Sequence, residues 1–195
     1  MLGRVTPALA LAGALALGAC SDDGPEPTAP AAQPIAAVAV AAGLTELVDA
    51  LGYVDEELGT GLVQLFTTGA GPFTVLAPTD AAFDGLYELP GTVLGAPIDD
   101  VRDLPAPVVR DVLLHHVVEG RRTAGDVVPA GGERQLTPLS GEALAVRADG
   151  SIRDGLTGVR PDARIVSADV AASNGVIHVI DAVIVPPSVV AALGR

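Results

Sequence analysis

Residues Gly71 to Leu86 read GPFTVLAPTDAAFDGL, and this stretch decides the fold. It opens on a turn pair, Gly71-Pro72. Phe73, Val75 and Ala77 then alternate with Thr74 and Leu76, which is strand period. Pro78 stops the strand. The Thr79 hydroxyl can cap a helix, and Asp80 falls in the first helical turn, where the helix dipole favours a carboxylate. Phe83, Leu86 and Tyr87 lie at i, i+3 and i+4 on one face, and Pro90 ends the run. The spacing predicts a strand that turns sharply into a helix, both facing one core. It holds no nucleophile motif, phosphate loop or metal-ligand spacing.

On the N-terminal side, Val40, Leu44, Leu47, Val48 and Leu51 fit helical spacing. Leu58, Leu62, Val63, Leu65 and Phe66 suggest a second helix, stopped by Gly69 to Gly71. On the C-terminal side, Gly91 to Asp103 reads as loop. Leu104-Pro105 then starts a helix with Val109, Val112, Leu113, His116 and Val117 on one face and Gly120 as its stop. Beyond it the period changes. Gln135–Leu139, Ala143–Arg147, Ile152–Arg153 and Ala163–Val170 read as strands, with Asp149-Gly150 as a hairpin turn. Ser173-Asn174-Gly175 turns the chain into Val176–Val185, apolar on both faces and therefore a central strand. Pro186-Pro187 ends it, and Val189 to Leu193 can add a terminal helix.

Upstream of all this, residues 1–19 have the form of a secretory leader: Arg4, then an apolar run from Ala8 to Leu17 too short to span a bilayer. It ends in Leu17-Gly18-Ala19-Cys20, a bacterial lipoprotein cleavage box, and Cys20 is the chain's single cysteine. The Cys20 thiol is expected to take a diacylglyceryl group, and two or more acyl chains give stable membrane anchoring where one would be marginal. Residues 20–34, rich in proline, small residues and acids, form a spacer without a core. Residues 35–195 are the domain. The expected location is extracytoplasmic, on the outer membrane or cell surface in a cell with two membranes.

The 195-residue chain carries a net charge of −13, or −14 once Arg4 leaves with the leader. Such a surface repels phosphate backbones, and five aromatics without tryptophan make a poor stacking platform, so nucleic acid is not an expected partner.

Three separated motifs point one way. Phe73–Phe83, FTVLAPTDAAF, resembles the first signature of fasciclin domains. Asn174–Pro186, NGVIHVIDAVIVP, resembles the second. Leu113–Gly120, LLHHVVEG, resembles the family's central tyrosine-histidine segment, with His116 at the histidine position, His115 where the tyrosine stands, and Glu119 where proline is common. The similarity runs from about Val38 to Pro187. It implies an α+β fold, a β-wedge or sandwich with helices packed along one edge. It also implies adhesion or other protein or polysaccharide contacts, without catalysis or a cofactor.

Each candidate site has a plain structural reading. Phe73, Thr79, Asp80, Phe83, His116, Asn174, Gly175, His178 and Asp181 are expected to build the fold. His116 should be a buried, hydrogen-bonded core residue tying its helix to strand backbone, and His115 should be more exposed. Neighbours on a helix do not jointly chelate one ion, so no metal is expected there. His178 and Asp181, three apart on one strand, point to opposite faces, which speaks against a triad with Ser173. His115, Arg121 and Arg122 are the candidate partner contacts, the arginines at a solvated helix end. The expected molecule is a monomeric, non-enzymatic binding module. A small-ligand carrier, for haem or another apolar molecule in a groove beside the His115-His116 helix, is the alternative.

Overall fold

The structure, a computed structural model, describes residues 33–69, 71–90 and 97–193. The expected leader, Cys20 and all of the spacer before Gln33 lie outside the described residues. The chain begins with helices α1 (Ile35–Ala41), α2 (Thr45–Leu58) and α3 (Leu62–Thr68), then strand β1 (Phe73–Pro78) and helix α4 (Asp80–Tyr87). A 3-10 turn (Val101–Asp103) leads into α5 (Ala106–His115) and β2 (Val117–Glu119). A short α6 (Ala124–Val127) precedes β3 (Glu133–Leu136), β4 (Leu144–Arg147), β5 (Ser151–Arg153), β6 (Ala163–Ala172) and β7 (Gly175–Ile180), and α7 (Pro187–Leu193) closes the chain. Among the described residues the strands form one sheet, in the order β2-β1-β7-β6-β5-β4-β3.

β1 is parallel to β7 and antiparallel to β2, with Val75 facing both Ile177 and Val117. The far end of the sheet curls back. Val118 bridges Pro138 just past β3, and the Leu139 N–H donates to the Val117 carbonyl at 2.8 Å. The curl covers the second face of the sheet at β1 and β7 and makes two cores. Phe73, Val75 and Ala77 of β1 pack with Val117 and Ile177 against the helices. Leu76 points the other way and packs with Val118, Leu144, Val146, Ile152, Ile180 and Ile184 inside the wedge. Alternate side chains of a strand take opposite faces, so one strand serves both cores and all six of its residues are buried. This is the α+β wedge with helices along one edge that the sequence implies.

Four local expectations are corrected. The helix expected across residues 40–51 is two helices, broken at Gly43, whose φ of +74° places it in the left-handed region that glycine tolerates. Leu58 closes α2 rather than opening α3, because Gly59 and Gly61 are also left-handed. Val117 keeps helical spacing from Leu113 but belongs to β2, the helix having ended at His115. The strand expected over Val176–Val185 stops at Ile180.

Candidate functional site

The turn between β1 and α4 is built by two adjacent side chains. Thr79 caps its own helix, its hydroxyl accepting the Ala82 N–H at 3.2 Å. Asp80 reaches across to a different helix. Its carboxylate accepts the Glu46 N–H at 3.1 Å and the Thr45 hydroxyl, at the free amide end of α2. Phe83 and Phe73 fill the core on either side, Phe73 meeting Phe66 edge-on at 6.0 Å.

Asn174 and Gly175 fasten the helical layer to β7. The Asn174 amide oxygen accepts the Ile35 N–H at 2.8 Å and its NH2 donates to the Phe66 carbonyl at 3.2 Å, so one side chain joins the start of α1 to the body of α3. Gly175 sits where no side chain fits. A Cβ there would stand 2.2 Å from the Phe73 carbonyl oxygen and 2.6 Å from Ile35. Ser173 donates its backbone N–H to the Gln33 carbonyl at 2.8 Å.

All three histidines of the chain are buried. The His116 Nε2 accepts the Ile184 N–H at 2.9 Å, which leaves Nδ1–H to donate to the Val112 carbonyl at 2.7 Å. The ring therefore joins the end of α5 to the segment after β7. Burial pushes its pKa down to about 3, against the opposing pull of the Val112 bond. His178 is held in the same way: Nδ1 accepts the Asp169 N–H at 3.2 Å, and Nε2–H donates to the Arg122 carbonyl at 2.9 Å. Asp169 is presented by a bulge in β6 at a φ of +59°, and its carboxylate accepts the Ala124 N–H at 2.8 Å.

His115 is a correction. It is 1% exposed, because the segment that follows β3 folds over the end of α5. The Ser140 N–H donates to the Leu114 carbonyl, and the Ser140 hydroxyl meets His115 Nδ1 at 2.8 Å. Burial lowers the His115 pKa, with Glu142 opposing. A residue so enclosed is not a partner contact. Arg121 and Arg122 are exposed, but they follow β2 rather than a helix end. Arg121 donates to the Ala172 carbonyl at 2.7 Å, and the Arg122 N–H donates to the Thr74 hydroxyl at 2.9 Å.

Asp181 lies past the end of β7 and is exposed, its carboxylate accepting the Arg164 N–H at 2.6 Å. His178, Asp181 and the Ser173 turn thus bond to three different pieces of backbone and do not converge. Sequence reasoning missed one buried charge pair altogether. The Asp154 side chain, 2% exposed, meets Arg160 at 2.9 Å while also accepting the Leu156 and Val185 N–H groups. Burial raises the Asp154 pKa despite the guanidinium. Two charged residues scattered among many in a loop sequence give no signal of such pairing.

The helical layer contains an apolar pocket of about 270 Å³, bounded by α1, α2, α3 and the helix-facing side of β1. It runs from Val40 and Val63, both exposed, down to Val75, Leu113 and His116. Both nitrogens of that ring are already bonded, so the floor of the pocket offers no free imidazole.

A family model described as the fasciclin domain matches residues 43–186. Protein sll1483 of Synechocystis sp. (strain ATCC 27184 / PCC 6803 / Kazusa) is 44% identical over 121 residues, covering 60% of this chain and 57% of that protein. The immunogenic protein MPB70 of Mycobacterium bovis (strain ATCC BAA-935 / AF2122/97) is 32% identical over 123 residues, covering 63% and 54%. The chain thus spans little more than half the length of these relatives. A solved FAS1 domain pair from the insect cell adhesion molecule fasciclin I aligns at a TM-score of 0.46 with 18% identity, covering 72% of this chain and 45% of that one. With the family model matching well over half of its residues, the chain belongs to the fasciclin domain family.

Proposed function

We propose that the chain is a binding module of the cell envelope, tethered to a membrane by lipid on Cys20 and held off it by the spacer, and that it contacts a protein or polysaccharide rather than catalysing a reaction. One observation carries the reading. The imidazole and amide side chains that could do such chemistry are mostly committed to backbone: His116 and His178 use both ring nitrogens, Asn174 both ends of its amide, and Asp80 the start of α2. A site for acid–base or nucleophilic chemistry needs such groups free and convergent on a shared point. The same bonding disfavours a haem version of the carrier alternative, since an iron ligand would have to release a backbone group from His116 or His178.

The exposed Arg121-Arg122 pair is the contact assigned to an anionic feature of the partner, in a molecule whose net charge is −13. Membrane fractionation of cells expressing the chain and its Cys20→Ala variant tests the tether, the variant leaving the membrane fraction. Capture from envelope extracts by the chain and by an Arg121→Glu/Arg122→Glu variant tests the contact. A partner held equally by both removes the arginines from the surface, and recovery of no partner in repeated captures removes the binding reading.

A further inference from the structure

We infer that the pocket among α1, α2 and α3 is a binding site for a single hydrocarbon chain, such as that of a fatty acid or other monoacyl amphiphile, with its head group left in solvent. Three observations lead there. The first is size: the pocket holds about 270 Å³, whereas an apolar cavity of about 150 Å³ already takes benzene, and close-packed interiors carry few voids larger than one water. The second is chemistry. Every lining residue but His116 is aliphatic or aromatic, and the His116 nitrogens are committed to Val112 and Ile184. Water entering the pocket would find almost no hydrogen-bond partner, so an apolar occupant that displaces it gains.

The third observation is charge. In a chain with 24 acidic residues and 11 arginines, residues 35–44 and 58–79 contain none of either. These two runs supply α1, α3 and β1, three of the walls. The charge-free mouth, at Val40 and Val63, lets an uncharged chain enter and holds no cation that would fix a particular head group. The pocket borders the His115-His116 helix through Leu113 and His116, while His115 itself is sealed under Ser140 and does not line it. The assignment does not depend on the tether.

Decanoate and decyl maltoside, which share a chain and differ in head group, are titrated calorimetrically into the full chain carrying Cys20→Ala. Both should bind one to one with similar affinity. At a hundredfold excess over Kd each should raise Tm by roughly 5–10 °C. Ala37→Trp, which fills the mouth from α1, and Val63→Asp, which charges it from α3, should each weaken binding more than tenfold while the circular dichroism spectrum is kept. Three results overturn the inference: neither ligand binds; decanoate alone binds, which means a carboxylate site; or both variants bind as well as the parent. Sedimentation with phosphatidylcholine vesicles, lost on Val63→Asp while neither amphiphile binds in solution, would make the same face a membrane-docking surface and overturn it as well.

Discussion

Acidification should weaken this fold through His116, by an amount the structure fixes. The ring is fully enclosed and neutral, its pKa held near 3, whereas an unfolded chain returns it to its ordinary 6.5. Above pH 6.5 neither state takes a proton and the ring's contribution is complete. Below it the unfolded chain binds a proton that the folded one refuses, so stability falls with pH until the folded ring itself titrates near 3. Between pH 7 and pH 5 the loss from this group is about 2 kcal/mol. Other acids titrate in the same range, so the useful quantity is a difference. Urea unfolding of the parent and of His116→Gln at several pH values gives two stability curves, and their separation should shrink by about 2 kcal/mol from pH 7 to pH 5. At pH 7, His116→Ala should cost about 3–5 kcal/mol, since it strands the Ile184 N–H and the Val112 carbonyl in the core and leaves a void beside them. A separation that stays constant across this window would refute the enclosed, neutral ring. So would a melting curve unmoved by His116→Ala.

Four further substitutions should each shift the unfolding midpoint. His115→Ala should cost about 1–3 kcal/mol, because it orphans Ser140 and opens the seal between the end of α5 and the curled sheet; an exposed histidine would cost almost nothing. Asn174→Ala should cost about 2 kcal/mol and loosen α1 first, so amide exchange should rise at Ile35, whose donor loses its acceptor. Gly175→Ala should cost more than Asn174→Ala, since its Cβ meets the Phe73 carbonyl, part of the central strand pair, at 2.2 Å. Asp154→Ala should cost about 3 kcal/mol by leaving the partly buried Arg160 uncompensated and stranding the Val185 N–H, and Asp154→Ala with Arg160→Met should recover part of that loss.

The parts of the fold legible in sequence are those whose cause is local. The β1–α4 turn is written in consecutive residues: period-two alternation, then a capping threonine, then an acid in the first turn. The structure places each of them where that spacing does. Asp80 shows where locality ends. Its place in α4 is readable, but its bond to α2 joins residues 34 apart and leaves no mark in the spacing. His115 is the same case. Its exposure depends on whether the segment around Ser140, 25 residues on, covers it, and that cover comes from the curl of the sheet. Val117 misleads for another reason. Four residues after Leu113 it fits a helical face, and three residues of β2 are too few to display a competing period.

The run after Ile180 separates burial from strand formation. Val183, Ile184 and Val185 are as buried as any strand residue, so their apolar character reads as strand. A strand also needs partners, and here they stop: the β1 register ends with Pro78 opposite Ile180, and β6 leaves at Ile165 opposite the same residue. Buried amides beyond that point must be satisfied some other way. The Ile184 N–H goes to the His116 ring, the Val185 N–H to the Asp154 carboxylate, and the Val185 carbonyl to the Gly155 N–H. His116, expected from the sequence to bond strand backbone, and Asp154, which the sequence does not signal, thus take the place of a missing neighbouring strand along a segment that passes through the core. Their removal should therefore expose this segment to amide exchange ahead of β1 and β7, which the sheet itself still holds.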